Sequence, residues 1–450
     1  MKTVAGIGLF ISCCLFLIEV KAQQYVFTSS SKTYKKHQKE RANLKGQLQE
    51  LSSDEWIWSI NSGPLKGHQL YLYPSQLIST NYKISSSSSR IVKDLGIQNF
   101  EGYLIDHPNH SKARITMYLG ELRGYVVLND IRYHVEPDTS KTSKRLEHIW
   151  YAHPSDKAEQ HAQCGALKVS KQVRDDSSNK KSSTACRIYQ VAIALDYSYV
   201  QKQGSADDAI AQSMAIMNMV AGDYDDTFSV PIQFEIVEHY VSTCPSCDPW
   251  VFHSNAETFM NNFGSWSTHG FTEEHDIAQL WTDHNLWYGY LPNGDANFNV
   301  VGFANDASVC SGSYQVLEHY TDSDWALRVL TSHEFGHNFG ASHDPEHTRY
   351  IMSPTINLTS SWSHSSTITI NGNLMDMTCY ADCISDDCWE NLTLTAPLTA
   401  TNYTARSTIA TLGPIGIQHN LGLSAPEVSI SPGLSLLPGN TFTIDQNACK

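Results

Sequence analysis

The chain has 450 residues, 41% of them apolar and 17% charged, a globular composition with ample core, and its length allows roughly two to four domains at about 150 residues each. A formal charge of −15 argues against general binding to nucleic acid or anionic lipid. The charge is unevenly placed: residues 1–185 carry 25 Lys+Arg against 17 Asp+Glu, while residues 186–450 carry 6 against 29, the pattern of a basic piece and an acidic piece made to lie against each other.

In chain order, Lys2, an apolar run from Val4 to Val20 and the small-residue site Val20-Lys21-Ala22 read as a secretory signal over residues 1–22. The run is too short and wrongly flanked for a membrane anchor, so no membrane span is expected. Secretion means an oxidising compartment in which cysteines pair. Of the 11 cysteines, Cys13 and Cys14 leave with the signal and Cys164 stands in the basic half. The rest are Cys186, Cys244, Cys247, Cys310, Cys379, Cys383, Cys388 and Cys449. These eight can close four bridges and leave Cys164 over; another free cysteine, or a bridge between chains, meets the same count. Cys244-Pro-Ser-Cys247 reads as a structural pair rather than a redox motif. Asn109, Asn357, Asn391 and Asn402 head glycosylation tripeptides.

Residues 23–185 mix basic segments with short alternating strands. Tyr103–Ile105, Ala113–Leu119 and Gly124–Leu128 read as a β-meander turning at Pro108-Asn109 and Gly120-Glu121, and Ser85–Ser89 as a flexible run. Residues 174–184, RDDSSNKKSST, form a solvated linker open to proteolysis. At Cys186 the character changes. Arg187–Leu195 reads as a buried strand, Asp208–Val220 as a helix, Ile232–Val237 as a strand and Asn255–Phe263 as a helix. Val300–Ala304 is a short strand, and Asp324–Asn338 a helix capped by Ser323. Strands alternating with helices define an α/β layer fold. Beyond about residue 390 the chain turns Thr-, Ser- and Pro-rich, either a small β-module or a loose tail.

Thr331–Asp344 reads TSHEFGHNFGASHD. His333 and His337, four apart on a helix, project from one face. Neutral imidazoles so placed suit one zinc ion at about 2.0–2.1 Å each. Glu334, beside the first, is placed to take a proton from a zinc-bound water rather than to bind the metal. Gly340 lets the chain leave the helix sharply, bringing His343 round as a third ligand, and three protein ligands leave the open position of a catalytic site. Ile351-Met352-Ser353-Pro354 follows, where a turn with a buried Met352 would underlie the metal.

With these residues the chain resembles the metzincins, and among them the adamalysin/reprolysin (ADAM-type) metalloproteases. The marks are Asp344 directly after the third histidine, the segment His275-Asp-Ile-Ala-Gln-Leu280, the strand Val301-Gly-Phe-Ala304 followed by Cys310, and the opening RIYQVAIALDYSYV to Val200. The likeness covers roughly residues 186–385. It implies an α/β metzincin catalytic domain over 186–390, a twisted mixed sheet plus active-site helix with a small lower subdomain. A β-rich propeptide over 23–185 would precede it, and residues 391–450 would follow as a tail or small β-module. It further implies one catalytic zinc held by His333, His337 and His343, with Glu334 as general base. Extracellular protein or peptide substrates would add as a strand along Val301, Gly302, Phe303 and Ala304. Cys310 would bridge to Cys379, and Cys164-Gly165 would serve as a cysteine switch, a propeptide thiolate in the open zinc position.

Departures from the family pattern bear on other features. The loop DPEHTRYI lacks the cysteines common there, and His364 stands where a cysteine often follows. Gln190 replaces a calcium-binding glutamate on the first strand, which counts against that structural calcium ion. A cysteine-dense disintegrin region is missing. His319, Asp322, Asp324 and His347 read as surface groups. The expected function is a secreted, monomeric zinc endopeptidase made as a zymogen, its acidity favouring basic peptides. The competing expectations are a binding protein on a silent protease scaffold, acting through its last 60 residues, and a zinc hydrolase of non-peptide bonds.

Overall fold

The computed structural model describes residues 48–50, 55–61, 63–87, 95–137, 148–152, 162–165, 186–225, 227–382, 389–394, 402–411, 416–417, 421–425, 427–430, 432, 435–436 and 441–446. The leader over 1–22, the segment 174–184 and Cys383, Cys388 and Cys449 lie outside them.

The N-terminal sheet is antiparallel. It begins with β1 (Leu48–Glu50), β2 (Trp56–Ser59) and β3 (Gln69–Pro74); the next strand, β4 (Ile78–Ser86), leaves for a second sheet. β5 (Gln98–Leu104), β6 (Ser111–Tyr118), β7 (Glu121–Leu128), β8 (Ile131–Pro137) and β9 (His148–Ala152) then continue the first in sequential order. The expected meander is present with longer strands, and Ile105 falls outside, exposed. Its hairpins close through Leu119-Gly120 and Asn129-Asp130, all four at positive φ, the backbone that matches strand twist in two-residue turns. On β6, Ala113, Ile115 and Met117 face a core with Trp58, Leu72 and Phe100. Arg114 and Thr116 point the other way and are buried too, because the C-terminal half covers that face.

The second sheet is built on β11 (Arg187–Leu195), with β12 (Ile232–Val241), β13 (Ile277–Thr282), β14 (Val300–Ala304) and β15 (Ser313–Glu318). Together with β10 (Gln163–Cys164) from the N-terminal half, its order is β10-β14-β15-β13-β11-β12-β4. Neighbours run parallel except β14 against β15; β16 (Ala381–Asp382) pairs antiparallel with the start of β11. Val191–Leu195 is fully buried, as in a parallel strand covered on both faces. Alternation divides it: Tyr189, Val191, Ile193 and Leu195 face one helical layer, Ala192 and Ala194 the other. The first layer holds α2 (Ala206–Tyr224) and α4 (Asp324–Asn338), the second α3 (Ala256–Gly270). α1 (Tyr197–Gln203) and α5 (His364–Leu374) are the other helices among the described residues. Asp196, Ser205, Asn255, Ser323 and Ser363 cap the five helices through side-chain oxygens, each contribution about 0.5–2 kcal/mol. Among the described residues no helix is long and apolar enough to cross a membrane.

The two halves meet through charge. Arg132 pairs with Asp223 at 2.8 Å and Arg123 with Asp324 at 2.6 Å, while Arg114 pairs with Asp225 and, at 2.9 Å, with Glu101. His134 stacks on Trp325 with ring centroids 4.1 Å apart. A Cβ on Gly222 would lie 1.8 Å from the Tyr125 hydroxyl, so glycine is what lets β7 approach α2 so closely.

Several expectations need correction. Ser85 and Ser86 are not part of a flexible run but end β4, paired with Tyr240 and Val241. Asp324 and His319 are buried, not surface groups: Asp324 receives Arg123 and the Gln212 amide, and the His319 ring packs edge-on to Tyr199. Both α2 and β12 run past their expected ends. Beyond residue 388 the strands Trp389–Leu394, Asn402–Thr411, Leu421–Ser424 and Phe442–Asp445 pair in parallel around Leu394, Ile409, Leu421, Leu423 and Ala425.

Candidate metal centre

α4 carries His333, Glu334 and His337 on buried turns. Gly340, at φ 90°, reverses the chain after the helix, and the following residues return His343 to the same point. His333 Nε2 lies 3.1 Å from His337 Nε2 and 3.2 Å from His343 Nε2. Cys164 Sγ lies 3.4 Å from His337 Nε2, and the four donor atoms all fall within 4.8 Å of one another. Cys164 is buried and is not in a disulfide.

Backbone carbonyls orient two of the rings. His333 Nδ1 donates to Ile351 O at 2.6 Å and His337 Nδ1 to Ala341 O at 2.8 Å. With the proton on Nδ1, each Nε2 keeps its lone pair. Burial holds His337 neutral, down to about 3, and lowers His333 well below its usual value, with the neighbouring imidazoles adding to both. Lone pairs turned toward one another at 3.1–3.2 Å repel unless a cation lies between them. Tetrahedral zinc with nitrogens at about 2.0–2.1 Å puts them roughly 3.3 Å apart, so the donor set fits such an ion.

Met352 is fully buried below the helix, and a Cβ on Gly336 would lie 2.3 Å from its sulfur. Asp344 N donates to Met352 O at 2.8 Å. Asp344 Oδ1 receives Ser363 Oγ at 2.6 Å, tying the third histidine's loop to α5. Glu334 is fully buried, and burial pushes its carboxyl up to about 8, with the Cys164 thiol pulling the other way. A Cβ on Gly302 would lie 2.4 Å from Glu334 Oε1, which places that carboxyl against β14.

Residues 162–165 lie between two walls. On one side Gln163 N donates to Asn299 O at 2.6 Å and Gly165 N to Gly302 O at 3.1 Å, with Gln163 and Cys164 parallel to Val300 and Gly302. On the other, Cys164 N donates to Pro354 O at 3.1 Å and Ile356 N to Ala162 O at 2.9 Å. A Cβ on Gly165 would lie 2.5 Å from the Phe303 ring. Thus the strand of Val301, Gly302, Phe303 and Ala304, expected to receive substrate, is paired at Val300 and Gly302 by the chain's own N-terminal half.

Cys310 and Cys379 form a disulfide, as do Cys244 and Cys247, and Cys186 is also disulfide-bonded. Gln190 N donates to Asp276 Oδ2 at 2.8 Å. His364 opens α5, and Asp322 and His347 are exposed. His68, Asp106 and His107 also gather, partly exposed beside β3 and β5, with His68 Nδ1 2.6 Å from Asp106 Oδ2. A cavity of about 220 Å³ lies between the halves beside Glu101, Arg114 and Asp225; no histidine lines it.

Sequence reasoning missed Asp223. Its carboxylate accepts from Arg328, from Ser332 Oγ at 2.7 Å and from Arg132 at 2.8 Å, beneath α4. Arg328 offered a signal, as one of only 6 basic residues after 185 and on the motif helix. Asp223 offered none.

Residues 185–384 match the model of metallo-peptidase family M12. The match supports a reprolysin/metzincin-type family of metallopeptidases for this segment. The fold agrees: a mixed α/β unit with a multistranded mixed sheet, preceded by a β-rich region.

Proposed function

We propose that the protein is a secreted zinc endopeptidase made as a zymogen, with residues 23–185 as propeptide, 186–390 as catalytic domain and 391–450 as an accessory module. The observation that carries this is the gathering of three histidine Nε2 atoms and one cysteine sulfur within 4.8 Å, beside a buried glutamate on the same helix. His333, His337 and His343 would hold the metal, and Cys164 would fill its fourth position until the propeptide is cut away.

Zinc, when bound, polarises the scissile carbonyl and acidifies water. Glu334 receives the proton of the attacking water and passes it to the leaving amine. Ile351 O and Ala341 O hold the imidazoles in the tautomer that faces Nε2 inward, and Met352 packs beneath. Asn299 and Gly302 would offer the carbonyls now engaged by Gln163 and Gly165 to an extended substrate in their place. Signal peptide, disulfides and glycosylation tripeptides support the secreted location, and the preponderance of acidic groups after residue 185 supports a preference for basic peptides.

The test is cleavage of a quenched-fluorescence peptide mixture by processed protein, with and without a zinc chelator, beside Glu334→Gln. Chelator-sensitive cleavage that vanishes in the variant is expected. A processed protein that binds zinc yet cleaves nothing would transfer the function to the C-terminal module as a binding protein.

A further inference from the structure

Residues 162–165 cover one outer strand of the second sheet. The opposite outer strand, β12, is covered as well, by β4, and no contact with the histidine cluster requires it. Lys83, Ile84, Ser85 and Ser86 run parallel to Glu238, His239, Tyr240 and Val241. Ile236 N donates to Leu77 O at 2.7 Å at one end, and Ser87 N to Val241 O at 3.3 Å at the other.

The side chains make this edge specific. His239 is fully buried; its Nδ1 meets the Tyr82 hydroxyl at 2.8 Å and its Nε2 meets Ser213 Oγ at 2.9 Å. Glu238, also fully buried, accepts from the Ser85 hydroxyl and from the N–H groups of Thr272 and Glu273 at 2.7 and 2.9 Å. Lys83 pairs with Glu273 outside. Leu77 and Ile84 are only 2% and 5% exposed, in one core with Phe234, Ile236 and α2.

We infer that the outer edge of β12 is a second strand-binding site, separate from the metal cleft. Its partner is the extended segment 77–87 of the chain's own N-terminal half, bound in cis before processing and as a separate chain afterwards. The inference rests on residues 23–185 being a propeptide cut within 166–185. Such a cut removes no contact between β4 and β12; it lowers only the effective concentration of the segment. A single cut therefore yields a two-chain complex, and release is a slow second step.

The test uses the full chain with a sequence-specific protease site replacing residues 175–182, carrying Glu334→Gln so that its outcome does not depend on peptidase activity. After cutting, size-exclusion chromatography and hydrogen exchange follow the two pieces. The N-terminal piece is expected to co-elute, with the amides of 236–241 still protected, and Cys164→Ala is expected not to release it. Tyr82→Phe with Ser85→Ala removes two half-buried hydrogen bonds, one to a carboxylate, and is expected to speed release about tenfold or more. Immediate separation of the unsubstituted pieces would overturn the inference, as would free exchange at 236–241 while the pieces still co-elute. So would a double variant that folds and releases no faster; if it fails to fold, the unsubstituted chain decides.

Discussion

Replacing Gly302 by alanine separates the geometry of the cleft from the integrity of the fold. An alanine Cβ there would lie 2.4 Å from Glu334 Oε1, 2.7 Å from Leu330 Cδ1 and 2.9 Å from Glu334 Cδ, where ordinary contact begins near 3.4 Å. All three atoms belong to side chains, so β14 keeps its register and the carboxyl shifts by about 1 Å. Overpacking of this kind costs the fold about 1–3 kcal/mol. A general base contributes about 10²–10⁴ in rate, and a misplacement near 1 Å costs on the order of 10²-fold, equivalent to roughly 2.7 kcal/mol. Processed Gly302→Ala is therefore expected to lose about 10²-fold in kcat/KM, chiefly in kcat. Its zinc content should stay at one per chain, because no imidazole atom is among those displaced. Steady-state cleavage of a quenched peptide and metal analysis by mass spectrometry check both. Zinc-loaded protein within about threefold of the parent rate would refute the placement of Glu334 against β14.

Cys164→Ala is expected to give an uncut precursor with measurable peptidase activity. That activity should stay on the order of a thirtieth of the processed protein's, since Gln163 and Gly165 still hold Asn299 and Gly302 by backbone bonds of about 1 kcal/mol each; a precursor as silent as the parent would remove the switch. Asp223→Asn leaves the buried Arg328 guanidinium without its anion and should lower stability by about 3–5 kcal/mol in urea titrations, whereas a change below about 1 kcal/mol would make the pair dispensable. Burial pushes the Glu318 carboxyl up to about 7 from 4.5, against the opposing Leu286 N–H bond. The folded state thus binds the extra proton between those values, and stability contributed by this group falls as pH rises through that window. Glu318→Gln should flatten that slope in denaturation midpoints from pH 4.5 to 7, and an unchanged slope would assign it to other groups.

The histidine cluster was legible because its residues are close in sequence. His333, Glu334 and His337 need only a helix, and His343 only the turn at Gly340. The strand Val191–Leu195 and the helix ending at Asn338 were legible for the same local reasons of apolar run and cap. What stayed hidden depends on contacts between distant segments. Ser85 and Ser86 look flexible by composition and become strand because Tyr240 and Val241 supply their partners. Asp324 looks like a solvated first-turn acid and is buried because Arg123, 201 residues away, lies over it. Arg114 and Thr116 face a second covered surface that no alternation within β6 announces. The charge imbalance between the halves did foreshadow that surface, though not which arginine meets which aspartate.

With β10 along β14 and β4 along β12, the two C-terminal-half strands β14 and β12 do not offer their outer edges as bare rows of amides and carbonyls to a neighbouring molecule. Exposed outer strands are the usual seeds of strand-to-strand association between copies. In the zymogen reading proposed above, the uncut chain keeps both edges paired, and each step of maturation would open a surface that must find substrate, partner or dilution.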